Sequence, residues 1–392
     1  MTHNLKGVIS LASNTPGMPT GYGVQGRLLI DKMTEAGLSV AALSNYGLEG
    51  AMSSIKTRHA IVPHYPRGNT LYSGDVIKPF HEHHLAGREL PNFVLTLYDV
   101  WVYLGMPLDE IQMVSWTPLD HETMPPKVEQ WSRQKNVTPL AMSPFGQKSF
   151  EDKGIESFYI PHAFNSSYKP TQLIAQTPVR EYMGLKNSDF LVGMVSANKA
   201  NGQLHRKAYA ENLLAFAMFR AKHPDAYLYI HADPTKMFGG FDLINLMKRM
   251  GIPEDSVLFP ERDKMRFGYS DQEMAALYTG MDVLLHVSYG EGFGVPAIEA
   301  QACGTRVIGS SWAATPDLLS DDSWLVEGQP FWDEAQNAFF RIPLIPSILN
   351  SLELSYKADR GTSSASIEFA KEFHIDKVWN NYWLPFLKEK LK

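Results

Sequence analysis

Ser288-Tyr-Gly-Glu-Gly-Phe-Gly-Val-Pro-Ala-Ile-Glu299-Ala-Gln-Ala-Cys-Gly304 reads as a strand-to-helix corner that carries chemistry. The run before it, Asp282-Val-Leu-Leu-His-Val287, has the continuous apolar character of a buried strand. The run from Pro296 reads as a helix, because proline in a first turn gives up only an N–H that has no helical partner. Gly290, Gly292 and Gly294 let backbone N–H groups approach a ligand closely. The helix N-terminus behind them favours an anion such as a phosphate. Two carboxylates, Glu291 and Glu299, flank the turn and are expected to aim at one place.

Outward from this corner, short apolar runs alternate with helical patterns, which predicts an α/β protein with mainly parallel sheets. Strands are expected at 8–12, 40–43, 93–97, 112–117, 139–143 and 158–160, with helices at 24–36, 125–134 and 144–153. The polar, proline-bounded stretch 161–170 reads as a linker. A second alternation follows, with strands at 190–195, 226–231, 257–260, 283–287, 307–309 and 324–326. Its helices are expected at 212–222, 241–250, 271–279 and 296–302. The chain ends in a helical pattern over 367–390, interrupted at Pro385.

The pattern Ser-x-x-Glu-Gly-Phe-Gly-x-Pro-x-x-Glu-Ala-x-Ala-Cys-Gly, with its Glu-x7-Glu core, resembles the signature of the retaining family 4 glycosyltransferases. That resemblance implies the GT-B fold, two Rossmann-like domains facing a central cleft. Residues 1–165 would form the acceptor domain and 175–366 the nucleotide-sugar donor domain. A C-terminal helix, 367–392, would cross back onto the first domain through Val378-Trp-Asn-Asn-Tyr-Trp-Leu-Pro-Phe386.

The resemblance also assigns roles. Glu299 would accept hydrogen bonds from ribose hydroxyls, which suits a group with acceptor sites only. Glu291 would hold hydroxyls of the donor sugar, and Phe293, Gly294 and Val295 would offer backbone N–H groups. The departing diphosphate needs cations. Lys207 falls where the family places a phosphate-binding lysine, and Arg206 precedes it. Where the family has an arginine directly after the strand, this chain has Asn198, the donor-binding candidate there. A helix start is a poor place for two cations unless an anion sits there.

The first half has its own glycine loop, Pro16-Gly-Met-Pro-Thr-Gly21-Tyr-Gly23-Val-Gln-Gly26, a literal Gly-x-Gly-x-x-Gly. Its glycines follow the strand at a distance, and the next strand ends without an acidic residue to hold a ribose. A dinucleotide site is therefore disfavoured. Gly21 and Gly23 are expected in a flexible cleft wall near donor phosphates or acceptor. In Trp116-Thr-Pro-Leu-Asp120-His121-Glu-Thr-Met-Pro-Pro126, His121 is the candidate to reach the donor sugar. Asp120 beside it and Asp99 at another strand end are expected on the acceptor side. Phe80-His-Glu-His-His84 has two histidines on one helical face but no further ligand, and reads as structural. No Asp-x-Asp occurs, so cationic side chains and helix dipoles are expected to do the work of a metal, with no cofactor besides the nucleotide-sugar substrate.

Composition narrows the classes. A chain of 392 residues, 44% hydrophobic, is ample for two cores. A net charge of −6 argues against a protein that coats nucleic acid or membranes. Residues 1–165 hold 13 Lys and Arg against 15 Asp and Glu, with no preference for a polyanion. One cysteine, Cys303, fits a reducing, cytoplasmic setting. Neither a signal peptide nor a transmembrane run is expected. Peripheral membrane contact stays open.

The expected activity is metal-independent transfer of a hexose from a UDP-glucose- or GDP-mannose-type donor to an acceptor hydroxyl, with retention by a same-face route. The acceptor stays open among glycan, lipid, protein, small molecule and modified DNA base. Alternatives are a sugar-nucleotide epimerase or phosphorylase on the same fold, a non-catalytic nucleotide-sugar-binding protein, or a nicotinamide oxidoreductase built on the first glycine loop.

Overall fold

The computed structural model describes residues 4–200, 204–236 and 239–392, without the side chains of 266 and 267. Residues 201–203 of the basic loop and 1–3 of the N-terminus lie outside them. Two separate, mainly parallel sheets define two lobes. The first runs, edge to edge, Ser53–Lys56, Ile61–Tyr65, Ser39–Tyr46, Val8–Asn14, Asn92–Leu97, Met113–Thr117, Val137–Ala141 and Phe158–Tyr159. Its central strand pairs Val8 with Ser39 on one side and with Asn92 on the other. Val8, Ile9 and Leu11 are buried, as a parallel strand covered on both faces requires. The edge strand Ser53–Lys56 is antiparallel and escaped the sequence reading, because its exposed Ser53, Ser54 and Lys56 show no apolar alternation.

The second sheet runs Val257–Leu258, Ala226–His231, Phe190–Val195, Val283–His286, Arg306–Ser310 and Trp324–Val326, all parallel. Each of these strands was expected from its apolar run. An antiparallel hairpin, Gly328–Asp333 paired with Ala338–Pro343, follows the last strand and was not expected.

Two corrections concern helices. The helix expected at 24–36 starts earlier, spanning Gly21–Glu35, and Thr20 caps it by accepting from the Gly23 N–H at 3.1 Å. Gly21 and Gly23 therefore sit in a helical first turn, not in a flexible wall. A Cβ at Gly23 would lie 2.6 Å from the Met18 carbonyl oxygen, so glycine is needed there for close backbone packing. The C-terminal segment is not one helix. It breaks into Ser364–Ala370, a tight turn Lys371–Phe373, Ile375–Val378, a π turn Trp379–Trp383, and Leu384–Lys390 with Pro385 in its first turn.

That segment crosses back to the first lobe as expected. Trp383 packs edge-on against Trp116 at 5.0 Å, and Phe386 meets Phe158 at 5.1 Å. Residues 160–172 carry the chain from the first lobe to the second without regular helix or strand. The two crossings touch: Phe164 N–H donates to Phe373 O at 3.0 Å, and Ile375 N–H to Phe164 O at 2.9 Å. Among the described residues, no helix is long and apolar enough to cross a membrane.

His81 and His84, on helix Gly74–Leu85, turn inward. Ser10 Oγ lies 2.9 Å from His81 Nδ1 and 3.2 Å from His84 Nδ1, while Asn92 and Ser39 meet the other ring nitrogens. These are neutral partners. Burial, helped by Arg88, pushes His84 down to about 4, and burial alone takes His231 to about 4 and His162 to about 3. The folded values lie below the ordinary 6.5, so the unfolded chain takes up protons first. The stability these rings contribute is full above pH 6.5 and is lost as pH falls toward about 4. Urea midpoints across that window are expected to drop, and a flat profile would contradict the neutral assignment.

Candidate active site

The quoted corner folds as the sequence dictates. Strand Val283–His286 ends at the turn, and helix Val295–Ala302 begins behind Gly294, whose φ of +101° requires glycine. A Cβ there would lie 2.6 Å from His286 Nε2. The other two glycines admit the opposite lobe. A Cβ at Gly290 would lie 2.0 Å from the Asp120 carbonyl oxygen, and one at Gly292 would lie 2.7 Å from Pro118. The turn and the segment from Pro118 to Asp120 thus form the two walls of the cleft at contact distance.

Glu291 is the electrostatic centre. Lys207 Nζ lies 2.5 Å from its Oε1 and Arg206 Nη1 lies 3.3 Å from its Oε2. The same Arg206 nitrogen reaches Asp120 Oδ2 across the cleft at 3.3 Å and donates to the Gly290 carbonyl. Burial pushes the Glu291 carboxyl up, but Lys207 and Arg206 outweigh it and hold it well below the usual carboxylate range. Burial and Arg206 lower the Lys207 ammonium, against the pull of Glu291. Here is the anion that two cations at a helix start demanded: it belongs to the protein itself.

His121 sits on the first-lobe wall. Its Nδ1 forms an ion pair with Asp120 at 2.8 Å, at an angle short of a hydrogen bond, and Nε2 hydrogen-bonds Asp333 at 3.2 Å. The ring stacks on Phe340 with 3.7 Å between centroids. Burial lowers its pKa, yet the two carboxylates prevail and raise it, favouring imidazolium. Asp120 is pushed up by burial but held low by Arg206 and His121. Asp99, partly exposed, is pushed up to about 6 by burial and by Asp120. Burial, followed by the charge of Asp99, pushes the hydroxyl of Tyr22, from the first helix, well up, against the pull of Arg206.

Glu299 lies apart from this cluster. Its Oε2 accepts from the Tyr278 hydroxyl at 2.9 Å, and burial pushes it up to about 7. It shares no hydrogen-bond partner with Glu291. Asn198 is a staple for its own loop. Its amide N–H groups meet the carbonyls of Asp233, Thr235 and Phe241, and its oxygen accepts from the Phe241 N–H. Its side chain is thereby committed to this loop. The Phe293 ring is buried against His162 at 5.1 Å and Phe373 at 5.8 Å, which leaves its backbone on the turn. Among the described residues, no group of three or more His, Cys, Asp or Glu is placed to hold a metal ion. An open groove of about 740 Å³ lies elsewhere, between Val137–Pro139 and Phe386–Lys390, and none of these residues lines it.

Residues 203–338 match the family model described as glycosyl transferases group 1. This stretch of the second lobe is similar to a group 1 glycosyltransferase domain. Curated relatives of this domain include a D-inositol 3-phosphate glycosyltransferase of Mycobacterium sp. (strain JLS), 27% identical over 41% of this chain and 34% of that protein. An MMP alpha-(1->4)-mannosyltransferase of Mycolicibacterium hassiacum is 42% identical over 14% of this chain and 13% of its own. The chain therefore aligns with about a third, or less, of the curated relatives' length. The fold extends further. Sucrose-phosphate synthase from Thermosynechococcus elongatus superposes with a TM-score of 0.72 at 16% identity, covering 99% of both chains. Anabaena HepE in complex with UDP and glucose gives 0.65 at 17%, covering 98% of this chain and 99% of its own. The whole chain has the GT-B fold.

The second lobe supplies Arg206, Lys207 and Glu291, and the first lobe brings Asp120, paired with His121, against Arg206, while Glu299 stands apart. Asp333 and Phe340, which touch His121, were missed. Their signal was legible: Pro330-Phe-Trp-Asp333 and Ala338-Phe-Phe-Arg341 flank a polar turn that ends on Asn337, held at φ +49°.

Proposed function

We propose that this protein transfers a hexose from a nucleotide-sugar donor to an acceptor hydroxyl, with retention and without a metal. The observation that carries this is the convergence of Lys207 and Arg206 on Glu291, opposite Asp120 and His121. Two cations beside a glycine turn and a helix N-terminus suit a diphosphate as its negative charge develops. Glu291 keeps both in place until the phosphates arrive and then holds sugar hydroxyls. Glu299 accepts from the ribose, and the N–H groups of the turn meet the donor. The first 165 residues serve as the acceptor lobe, with Asp99 at its entrance, and 175–366 as the donor lobe. UDP-glucose leads among donors, in line with the UDP and glucose bound by the Anabaena relative. A single buried Cys303 suits a reducing, cytoplasmic setting.

Release of nucleoside diphosphate from UDP-glucose and GDP-mannose tests the reading. Turnover of neither, together with no thermal shift by UDP or GDP, would overturn it. A product of inverted configuration by NMR would remove retention alone. Glu299→Gln probes the nucleotide end. The raised folded value of Glu299 means that its contribution to stability is full below 4.5 and lost as pH rises through about 7. At pH about 8 the neutral variant should be at least as stable as wild type. UDP should bind about 10–100-fold more weakly, the size of one hydrogen bond to a charged group. Unchanged UDP affinity would take Glu299 out of the site.

A further inference from the structure

We infer that the hairpin Gly328–Asp333/Ala338–Pro343 is a clasp that positions the first-lobe wall of the cleft, with Asp333 and Phe340 as positioning residues acting through His121. This rests on the transferase reading for its effect on turnover, and on geometry alone for the placement.

The loop that carries His121 runs from Pro118 to Pro125 between strand Met113–Thr117 and helix Pro126–Ser132. It has no helix or strand of its own to fix a side chain. The hairpin supplies what is missing, one residue after another. His121 is stacked on Phe340 and hydrogen-bonded to Asp333. The Glu122 N–H donates to Phe339 O at 2.8 Å, a strand-like addition to the free edge of the hairpin. Arg341 Nε donates to the Glu122 carboxylate at 2.7 Å. The Phe339 N–H reaches Thr123 Oγ1 at 3.4 Å.

The hairpin is itself anchored on the catalytic turn. Arg341 N–H donates to Tyr289 O at 3.1 Å, and Phe331 packs on Tyr289 at 6.0 Å. The Phe340 ring also covers Gly290, where a Cβ would meet it at 2.9 Å. The hairpin therefore touches both the turn of Glu291 and the loop of His121, and Phe340 and Arg341 each contact both. Strand alternation accounts for the choice of residues: Asp333, Ala338 and Phe340 are buried, and Trp332 and Phe339 face outward. His121 is thus gripped from both lobes, by Asp120 in sequence and by Asp333 in space.

The test uses the whole chain and two variants, Asp333→Asn and Phe340→Leu, with Phe340→Tyr as the conservative control that keeps a stacking ring. Two quantities are read: kcat and KM for nucleoside diphosphate release, and the His121 ring signals in 15N-correlated NMR. Melting temperature and UDP affinity report on the fold. Both variants are expected to move the His121 signals and lower kcat about 10–100-fold, the scale on which a small misplacement of a positioned group slows a reaction, with KM nearly unchanged. Phe340→Tyr should stay near wild type in both. Unmoved His121 signals in variants that still bind UDP, or wild-type kcat in both, would overturn the inference. If Phe340→Leu fails to fold, Asp333→Asn alone decides. If the wild-type protein turns over no donor, the proposed function fails, and the His121 signals still decide the clasp.

Discussion

Lys207→Ala is expected to slow nucleoside diphosphate release by about 10²–10³-fold, the effect of removing one preorganised group at a developing charge. The expectation follows from where Nζ sits, 2.5 Å from Glu291 and only partly exposed, at the start of helix Tyr209–Arg220. Its loss leaves Glu291 still paired with Arg206, so the fold should survive. The larger effect should fall on kcat and the smaller on KM, because leaving-group charge is greatest in the transition state. Initial rates at saturating donor, with melting temperature as the fold control, check this. A change of less than about three-fold would show that Lys207 does no more than pair with Glu291.

Trp383→Ala is expected to cost about 3–5 kcal/mol, the range for emptying a large aromatic site in a packed core. Trp383 is 1% exposed and lies between Trp116 at 5.0 Å and Phe386 at 6.2 Å. Trp116 belongs to a strand of the first sheet, whereas Trp383 lies far along the segment that returns from the second. The loss would therefore loosen the return crossing as well as the core. Urea unfolding monitored by tryptophan fluorescence measures it. A loss under about 1 kcal/mol would show that the returning segment lies on the first lobe without stabilising it.

How much of this was legible depended on burial. Strands such as Phe190–Val195 and Val283–His286 are apolar on both faces, so their sequence announces them. Ser53–Lys56 and the hairpin are half-exposed or edge strands, where side chains answer to solvent and neighbours more than to a core. Arg206 and Lys207 could be picked out because two cations at a helix start conflict with the helix dipole. That Glu291 resolves the conflict required the fold, which brings together residues 84 positions apart. Asn198 was assigned by its place after a strand, but its amide is consumed by three carbonyls that only the folded loop supplies. Glu291 and Glu299 looked like a pair because they are near in sequence. The helix turns Glu299 toward the Tyr278 hydroxyl, into a buried setting without the cations that flank Glu291.

The touching crossings at Phe164 and at Phe373 and Ile375 have a mechanical consequence. Two bodies joined at two adjacent points can swing about the line through them, but they cannot slide apart. Phe164 and its partners lie on that line, and Phe293 on the turn of Glu291 packs on both crossings, through His162 and Phe373. The turn therefore sits beside that line, where a swing displaces it least. The contacts of Asp120 with Arg206 and of Asp333 with His121 span the gap and would part as the lobes swing. In such a swing the contacts of the hairpin with the His121 loop would part before those beside Phe164.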